Sequence, residues 1–251
     1  WHSNFCKDAT YKKELKWEDL KRYSINWNWK LWISYWEWLA APRDSKFFTS
    51  ERVLVREIVN DKLFCCYENL EYYNTPSIIN IVYKIKDINL KYLLTILNSS
   101  LMGWYHQQTS PKAKKWLFPK ILVNDVKQLP IPKINEEEQK PFIEKADLML
   151  NLNKEFHDEL SQTFDFLSQK FWLQKITTKL EKFWTLDFSV FKKELKILEQ
   201  KNNKNSTYDS DREFLGKKLI DIFSQKISSR CCNFSPEHNK KIIESLINEA
   251  D

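Results

Sequence analysis

Glycine is almost absent from this sequence, with two residues in 251. Two scattered glycines cannot form the glycine-rich turn after a strand with which S-adenosylmethionine and dinucleotides are usually bound. There is no Pro-Pro dipeptide, so the chain lacks the Asp/Asn-Pro-Pro-aromatic loop that accepts hydrogen bonds from the target amino group in amino-methyltransferases. The four histidines have no metal-ligand spacing. We therefore find no catalytic constellation, and we predict no cofactor and no metal in this chain.

The number and spacing of the cysteines also argue against a disulfide framework. The five cysteines are Cys6 and two adjacent pairs, Cys65-Cys66 and Cys231-Cys232. An odd number without a disulfide pattern fits a reducing compartment. A zinc site that joins the two pairs is an alternative, but neighbouring cysteines rarely point at one metal ion. The pattern favours buried or unreactive thiols.

Long apolar runs are missing as well. No run approaches the roughly 18 residues of a membrane span, and no signal peptide is visible, so we expect a cytoplasmic protein without a membrane partner. Aromatic residues make up 15% of the chain, which predicts a folded protein. Because the sequence begins at Trp1 rather than at methionine, we expect it to be a fragment or the tail of a longer protein.

The positive charge is concentrated in one stretch. Six lysines and one aspartate lie between Leu93 and Lys133, a net charge of +5 within a chain of net charge +6. Apolar residues at helical spacing predict a helix over residues 93–101, and the apolar residues 121–123 predict a strand. Between them we expect a polar, basic loop. Lysine and glutamine on an apolar platform suit a polyanion with polar edges, which means nucleic acid.

The amino-acid sequence of this stretch also resembles that of a known protein family. NSSLMGWYHQQTSPKAKKWLFPKILVNDVKQLPIP, followed by EEEQKPFIEKADLMLNLNKE, resembles the C-terminal specificity region of Eco57I/TaqI-like restriction-modification adenine methyltransferases, which is related to type I specificity subunits. The resemblance covers about residues 39–191. It implies a target recognition domain that reads double-stranded DNA, while a methyltransferase domain or subunit, possibly fused in a type II restriction enzyme, modifies adenine N6. S-adenosylmethionine, and Mg²⁺ if the enzyme restricts, are expected in that catalytic part.

We predict an α+β fold with three regions. Residues 1–40 hold seven of the eleven tryptophans. Several of them recur with other apolar residues at helical spacing, which predicts an aromatic-rich helical lead-in. Residues 41–133 predict a compact, β-rich recognition domain, with strands over residues 52–58, 62–67 and 77–83. Residues 134–251 predict a helical, partly coiled-coil-like region.

The first helix of the third region carries a heptad-like seam. Two interpretations are equally supported: a helix packed inside a bundle, or an arm that docks a partner helix, as the resemblance implies. The seam residues are Phe142, Met149, Asn153, Phe156 and Leu160.

Two kinds of DNA contact are expected. Lysines neutralise phosphates and set the register on the duplex, whereas glutamine reads adenine and arginine reads guanine in the major groove. The alternative for the strand arginines is a solvated sheet face, and for each glutamine taken singly a solvated surface is favoured. The expected DNA-binding residues are Lys112, Lys114, Lys115, Lys120, Gln107, Gln108, Ser110, Arg43, Lys46, Arg52 and Arg56.

A competing hypothesis is a helical module, formed by residues 134–251, that binds another protein without DNA specificity.

Overall fold

The structure is a computed structural model that describes residues 1–27, 31–36, 39, 42–83, 88–114 and 118–171, with scattered residues between 177 and 197. The chain divides into two compact units, Trp1–His157 and Asp158–Asp251. The second cysteine pair and the helices expected beyond residue 200 lie outside the described residues.

Strands in the first half of the described chain give way to helices in the second, which confirms the α+β prediction. The strands are β1 (His2–Ser3), β2 (Tyr11–Leu15), β3 (Leu20–Lys21), β4 (Ser24–Ile25), β5 (Leu31–Ser34), β6 (Arg52–Arg56), β7 (Cys65–Glu68), β8 (Tyr73–Asn74) and β9 (Ile78–Val82). The helices are α1 (Lys46–Thr49), α2 (Leu90–Leu97), α3 (Ser100–Thr109), α4 (Val123–Lys127) and α5 (Glu136–Phe171), with a 3₁₀ turn at Trp17–Asp19.

Strand β6 lies at the centre of an antiparallel sheet, between β7 and β9. Leu54 is paired with Cys66 on one side and Asn80 on the other. All five residues of β6 are buried. Val53 and Val55 pack into the main core with residues of α2 and α3, whereas Leu54 packs into a second cluster with Leu15 and Leu20. The sheet is therefore covered on both faces, and the expected solvated face of β6 is wrong.

The expected helices in residues 1–40 are also wrong, because this segment forms strands. Strand β5 pairs antiparallel with β1 and β2, and β2 pairs parallel with β8. Trp27 and Trp32 meet edge to face with ring centroids 5.2 Å apart. Aromatic side chains fit a pleated surface well, and here Trp32 of β5 meets Trp27, which follows β4, rather than a neighbour along a helix.

The single helix expected over residues 93–101 is divided into α2 and α3. Asn98 separates them because its buried amide exchanges two hydrogen bonds with the Cys65 backbone, at 3.1 and 3.0 Å. Ser99 then caps α3, since its hydroxyl accepts from the Met102 N–H at 3.1 Å. The strand expected at residues 121–123 does not form: α4 begins at Val123, and a single bridge joins Lys120 to Ile58.

Helix α5 is 36 residues long and starts with a capping box between Asn135 and Glu138. Phe142 meets the Tyr92 ring at 5.2 Å, and Met149 packs against the main core. Asn153 donates to the Met149 carbonyl one turn earlier, at 2.7 Å. This part of the seam therefore packs within its own chain, as in the bundle interpretation.

The remaining seam residues are Phe156 and Leu160, whose contacts do not distinguish between the two interpretations. Phe156 meets the adjacent His157 ring at 5.7 Å, and Leu160 is buried. Docking of a partner helix stays a prediction. Within the described residues, no helix combines the length and the apolar character that a membrane crossing requires.

Candidate DNA interface

The basic loop, residues 110–120, is tied down at both ends. Ser110 N–H donates to the His106 carbonyl at 2.9 Å, and Lys120 N–H donates to the Lys112 carbonyl at 3.2 Å. Beyond β6, Val59 N–H donates to the Pro119 carbonyl and Ile121 N–H to the Glu57 carbonyl, at 3.0 and 2.9 Å. The loop is therefore held beside the extension of β6, so its side chains are presented from a defined place.

The lysines of the loop differ in how their charge is used. Lys112 and Lys114 are exposed, and neither ammonium group pairs with another described residue. Lys120 instead forms an ion pair with Glu57 at 3.0 Å. Lys115 lies outside the described residues. The available positive charge of the described loop thus resides on Lys112 and Lys114.

Both glutamines lie on the last turn of α3 rather than in the loop. Gln107 donates through Nε2 to the Asn60 carbonyl at 3.2 Å, whereas Gln108 is exposed. Leu101 and Trp104, which are 56% and 57% exposed, share the Gln108 face because positions three, four and seven apart align on a helix. Sequence reasoning missed Trp104. The available signal was a tryptophan at helical spacing with Leu97 and Leu101, three residues before Gln107.

Gly103 explains how α3 comes so close to the turn before β7. A Cβ at this position would lie 2.5 Å from the Asp61 carbonyl oxygen and 3.0 Å from the Lys62 Cα. Real Cβ atoms essentially never approach backbone so closely, so only glycine fits without a shift of the helix. This close approach also brings Gln107 to Asn60.

Two polar side chains beneath the loop are buried rather than available. Ser110 is buried, and its hydroxyl has no hydrogen-bond partner among the described residues. Burial lowers the pKa of His106, while the Asp125 carboxylate and a hydrogen bond with the Lys120 backbone act in the opposite direction. His106 is therefore neutral at pH 7 and adds no positive charge to the surface.

Arg43 and Lys46 lie at the approach to α1. Arg43 is exposed, and its carbonyl accepts from the Tyr35 hydroxyl at 3.2 Å. Lys46 pairs with the nearby Asp44 at 3.1 Å. Only Arg43 of these two keeps an unpaired charge among the described residues.

The two arginines of β6 are held in different ways. Arg52 is fully buried and donates to the carbonyls of Ser50, Leu70 and Tyr72 at 2.9, 3.0 and 3.1 Å. It is therefore not placed to reach a base. Arg56 is 8% exposed, and its guanidinium carbon lies 4.6 Å from the Trp17 ring centroid and 4.4 Å from that of Phe64.

Residues 12–131 match the family model of the TaqI-like C-terminal specificity domain. We name residues 12–131 the specificity domain after the model that they match. The match confirms the resemblance, and it supports a DNA-recognition specificity role in a restriction-modification system. Residues 135–227 match the model of a domain of unknown function, DUF8810. No curated protein matches the chain.

The specificity domain holds every residue predicted to contact DNA. Its match begins in β2, within the segment that we expected to precede the domain. The division of the chain at residues 40 and 133 stays a prediction.

Among the described residues, no group of three His, Cys, Asp or Glu side chains could hold a metal ion. Burial raises the pKa of Cys66 well above its ordinary value, so this thiol is unreactive.

Proposed function

We propose that the specificity domain reads a base sequence in double-stranded DNA for an adenine-N6 methyltransferase of a cytoplasmic restriction-modification system. The basic loop and the exposed face of α3 are its contact surface. The methyltransferase domain or subunit is the second partner, fused to this chain or separate from it, and it extrudes the target adenine.

The observation that carries this proposal is the exposed, unpaired positive charge of Lys112 and Lys114. Both are exposed without a counter-charge among the described residues. Their loop is hydrogen-bonded to α3 at its start and to the extension of β6 at its end. Cations held at a defined place favour phosphate contacts, which fix the register of a protein on the duplex.

The exposed face of α3 supplies groups that can contact bases. Gln108 can donate to and accept from the adenine edge in the major groove. Trp104 offers a flat apolar surface beside it, which suits stacking or contact with a thymine methyl group. The face is narrow, so the lysines position it and only a few side chains read sequence.

We place S-adenosylmethionine, and Mg²⁺ if the enzyme cleaves DNA, in the catalytic partner. The chain does not fit the cofactor, because one of its two glycines, Gly103, is packed against Asp61 and Lys62 and no glycine-rich turn can form. The specificity domain therefore contributes binding and orientation rather than chemistry.

A DNA titration of the full chain tests the proposal. Fluorescence anisotropy over a series of salt concentrations should give an affinity that falls steeply with salt. The double variant Lys112→Ala/Lys114→Ala should bind all duplexes more weakly and make the log–log salt slope shallower by about 2. The control is Lys140→Ala, which removes an exposed lysine of α5 already paired with Glu137.

Two results would count against the proposal. A wild-type chain without salt-sensitive affinity for DNA would favour the competing helical interaction module. An unchanged salt slope in the double variant would mean that the basic loop is not the phosphate-binding surface.

A further inference from the structure

Arg56 is a nearly buried cation whose hydrogen-bonding groups are unused. Rings of Trp17 and Phe64 lie 4.6 and 4.4 Å from its guanidinium carbon, and the residue is 8% exposed. Its side chain makes no hydrogen bond and no ion pair with a described residue, and its Nε is buried without a partner. Rings that pack on the carbon centre leave the in-plane N–H groups for another molecule.

Arg52 shows what a purely structural arginine looks like at nearly the same place. It lies four residues earlier on the same face of β6, and its two terminal nitrogens donate to three backbone carbonyls. Its Nε is buried without a partner, as is that of Arg56, so the two arginines differ at their terminal nitrogens. Buried polar groups in proteins are normally satisfied in this way. The missing partners of Arg56 therefore need an explanation that packing alone does not supply.

The charge around Arg56 selects the kind of ligand. Burial lowers the pKa of Arg56, and the negative charge of the Glu18 carboxylate acts in the opposite direction. The Oε2 of Glu18 is itself buried without a partner among the described residues. A carboxylate beside the guanidinium repels a phosphate but tolerates a neutral edge with two acceptors. The major-groove edge of guanine offers O6 and N7 in the spacing of two guanidinium N–H groups.

We propose that Arg56, held by Trp17 and Phe64, reads one guanine in the major groove of the recognised DNA. The inference rests on the proposed DNA-reading function and adds one residue with one base. The rings fix the plane of the guanidinium before DNA arrives, so less conformational freedom is lost on binding.

The test begins by selecting the duplex that the full chain prefers from a random library and then substituting each G·C pair. Arg56→Lys keeps the charge but cannot form the paired bonds. It should reduce the preference at a single G·C pair by roughly 10- to 100-fold, with the salt slope unchanged. Arg52→Lys is the matched control; it should lower thermal stability and leave the pattern of base preference as in the wild type.

A change in the DNA gives the same test without altering the protein. Replacing the contacted guanine by 7-deazaguanine removes the N7 acceptor, so wild-type affinity should fall by roughly tenfold. The same replacement at other guanines should have little effect. This arm holds even where Arg56→Lys does not fold.

The outcomes separate this inference from the proposed function. A selective wild type whose preference survives Arg56→Lys in folded protein, or shows no sensitivity to 7-deazaguanine at any position, overturns the role of Arg56 alone. Equal weakening on every duplex with a shallower salt slope shows a phosphate contact and also overturns it. A wild type that binds no duplex overturns the proposed function, and this inference with it.

Discussion

The basic loop and strand β6 both carry positively charged side chains, but the fold places those side chains in different surroundings. Lys112 and Lys114 project from the loop without counter-charges among the described residues. Arg52 is fully buried and donates to three carbonyls, and Arg56 packs between two aromatic side chains. A basic residue in a sequence therefore reveals the sign of a charge, but not whether that charge is already satisfied inside the protein.

The largest effect should follow from Arg52→Ala. The change removes a fully buried side chain and the three hydrogen bonds that it donates to backbone carbonyls, so we expect the free energy of unfolding to fall by about 3 kcal/mol. Urea denaturation of the purified chain measures it. Arg43→Ala, which removes an exposed arginine, should change stability by less than about 0.5 kcal/mol. Equal effects of the two changes would contradict the difference between buried and exposed arginines.

Gly103→Ala should have the next largest effect. The added Cβ would lie 2.5 Å from the Asp61 carbonyl oxygen, and the resulting strain outweighs the gain in helix propensity. We expect a net loss of about 1–2 kcal/mol in thermal or urea unfolding. Thr109→Ala, at the exposed end of the same helix, is the control. A stabilised Gly103→Ala protein would show that α3 can move away from the turn.

The double variant Lys112→Ala/Lys114→Ala should affect binding and leave folding intact. Affinity for any duplex should fall by about tenfold at moderate salt, because two phosphate contacts are lost. The free energy of unfolding should remain within about 0.5 kcal/mol of the wild type. Anisotropy and urea denaturation together test this pair of expectations. A loss of stability with unchanged affinity would assign the loop lysines to the structure, like Arg52.

The smallest effect concerns pH. Burial holds the pKa of His106 below its ordinary value of 6.5, so the unfolded chain takes up this proton first as the pH falls. The stability from neutral His106 is complete above pH 6.5 and is lost as the pH falls from there through the lowered pKa. His106→Gln should flatten the stability profile in that range. A profile unchanged by the substitution would mean that His106 does not titrate differently on folding.

Local patterns predicted some parts of this fold well. The strands β6, β7 and β9 follow from runs rich in β-branched and aromatic residues. The family resemblance was readable from residues 98–132, and the family match confirms it. In each case the deciding information lies in neighbouring residues.

The errors share a long-range cause. Asn98 divides α2 from α3 through hydrogen bonds to Cys65, 33 residues earlier. Arg52 donates to carbonyls 18 and 20 residues away, and Lys120 forms an ion pair with Glu57, 63 residues away. In residues 1–40, Trp32 of β5 meets Trp27, which lies outside the strands. None of these partners can be read from the local spacing of residues.

The most direct test of DNA sequence recognition compares two affinities of the full chain at the same salt concentration. One is for the duplex selected from a random library, and the other is for an unrelated duplex of equal length. A specificity domain should prefer the selected duplex by about 10³-fold, as sequence-specific proteins typically do. Equal affinities for the two duplexes would contradict the account and reduce the basic loop to a general nucleic-acid contact.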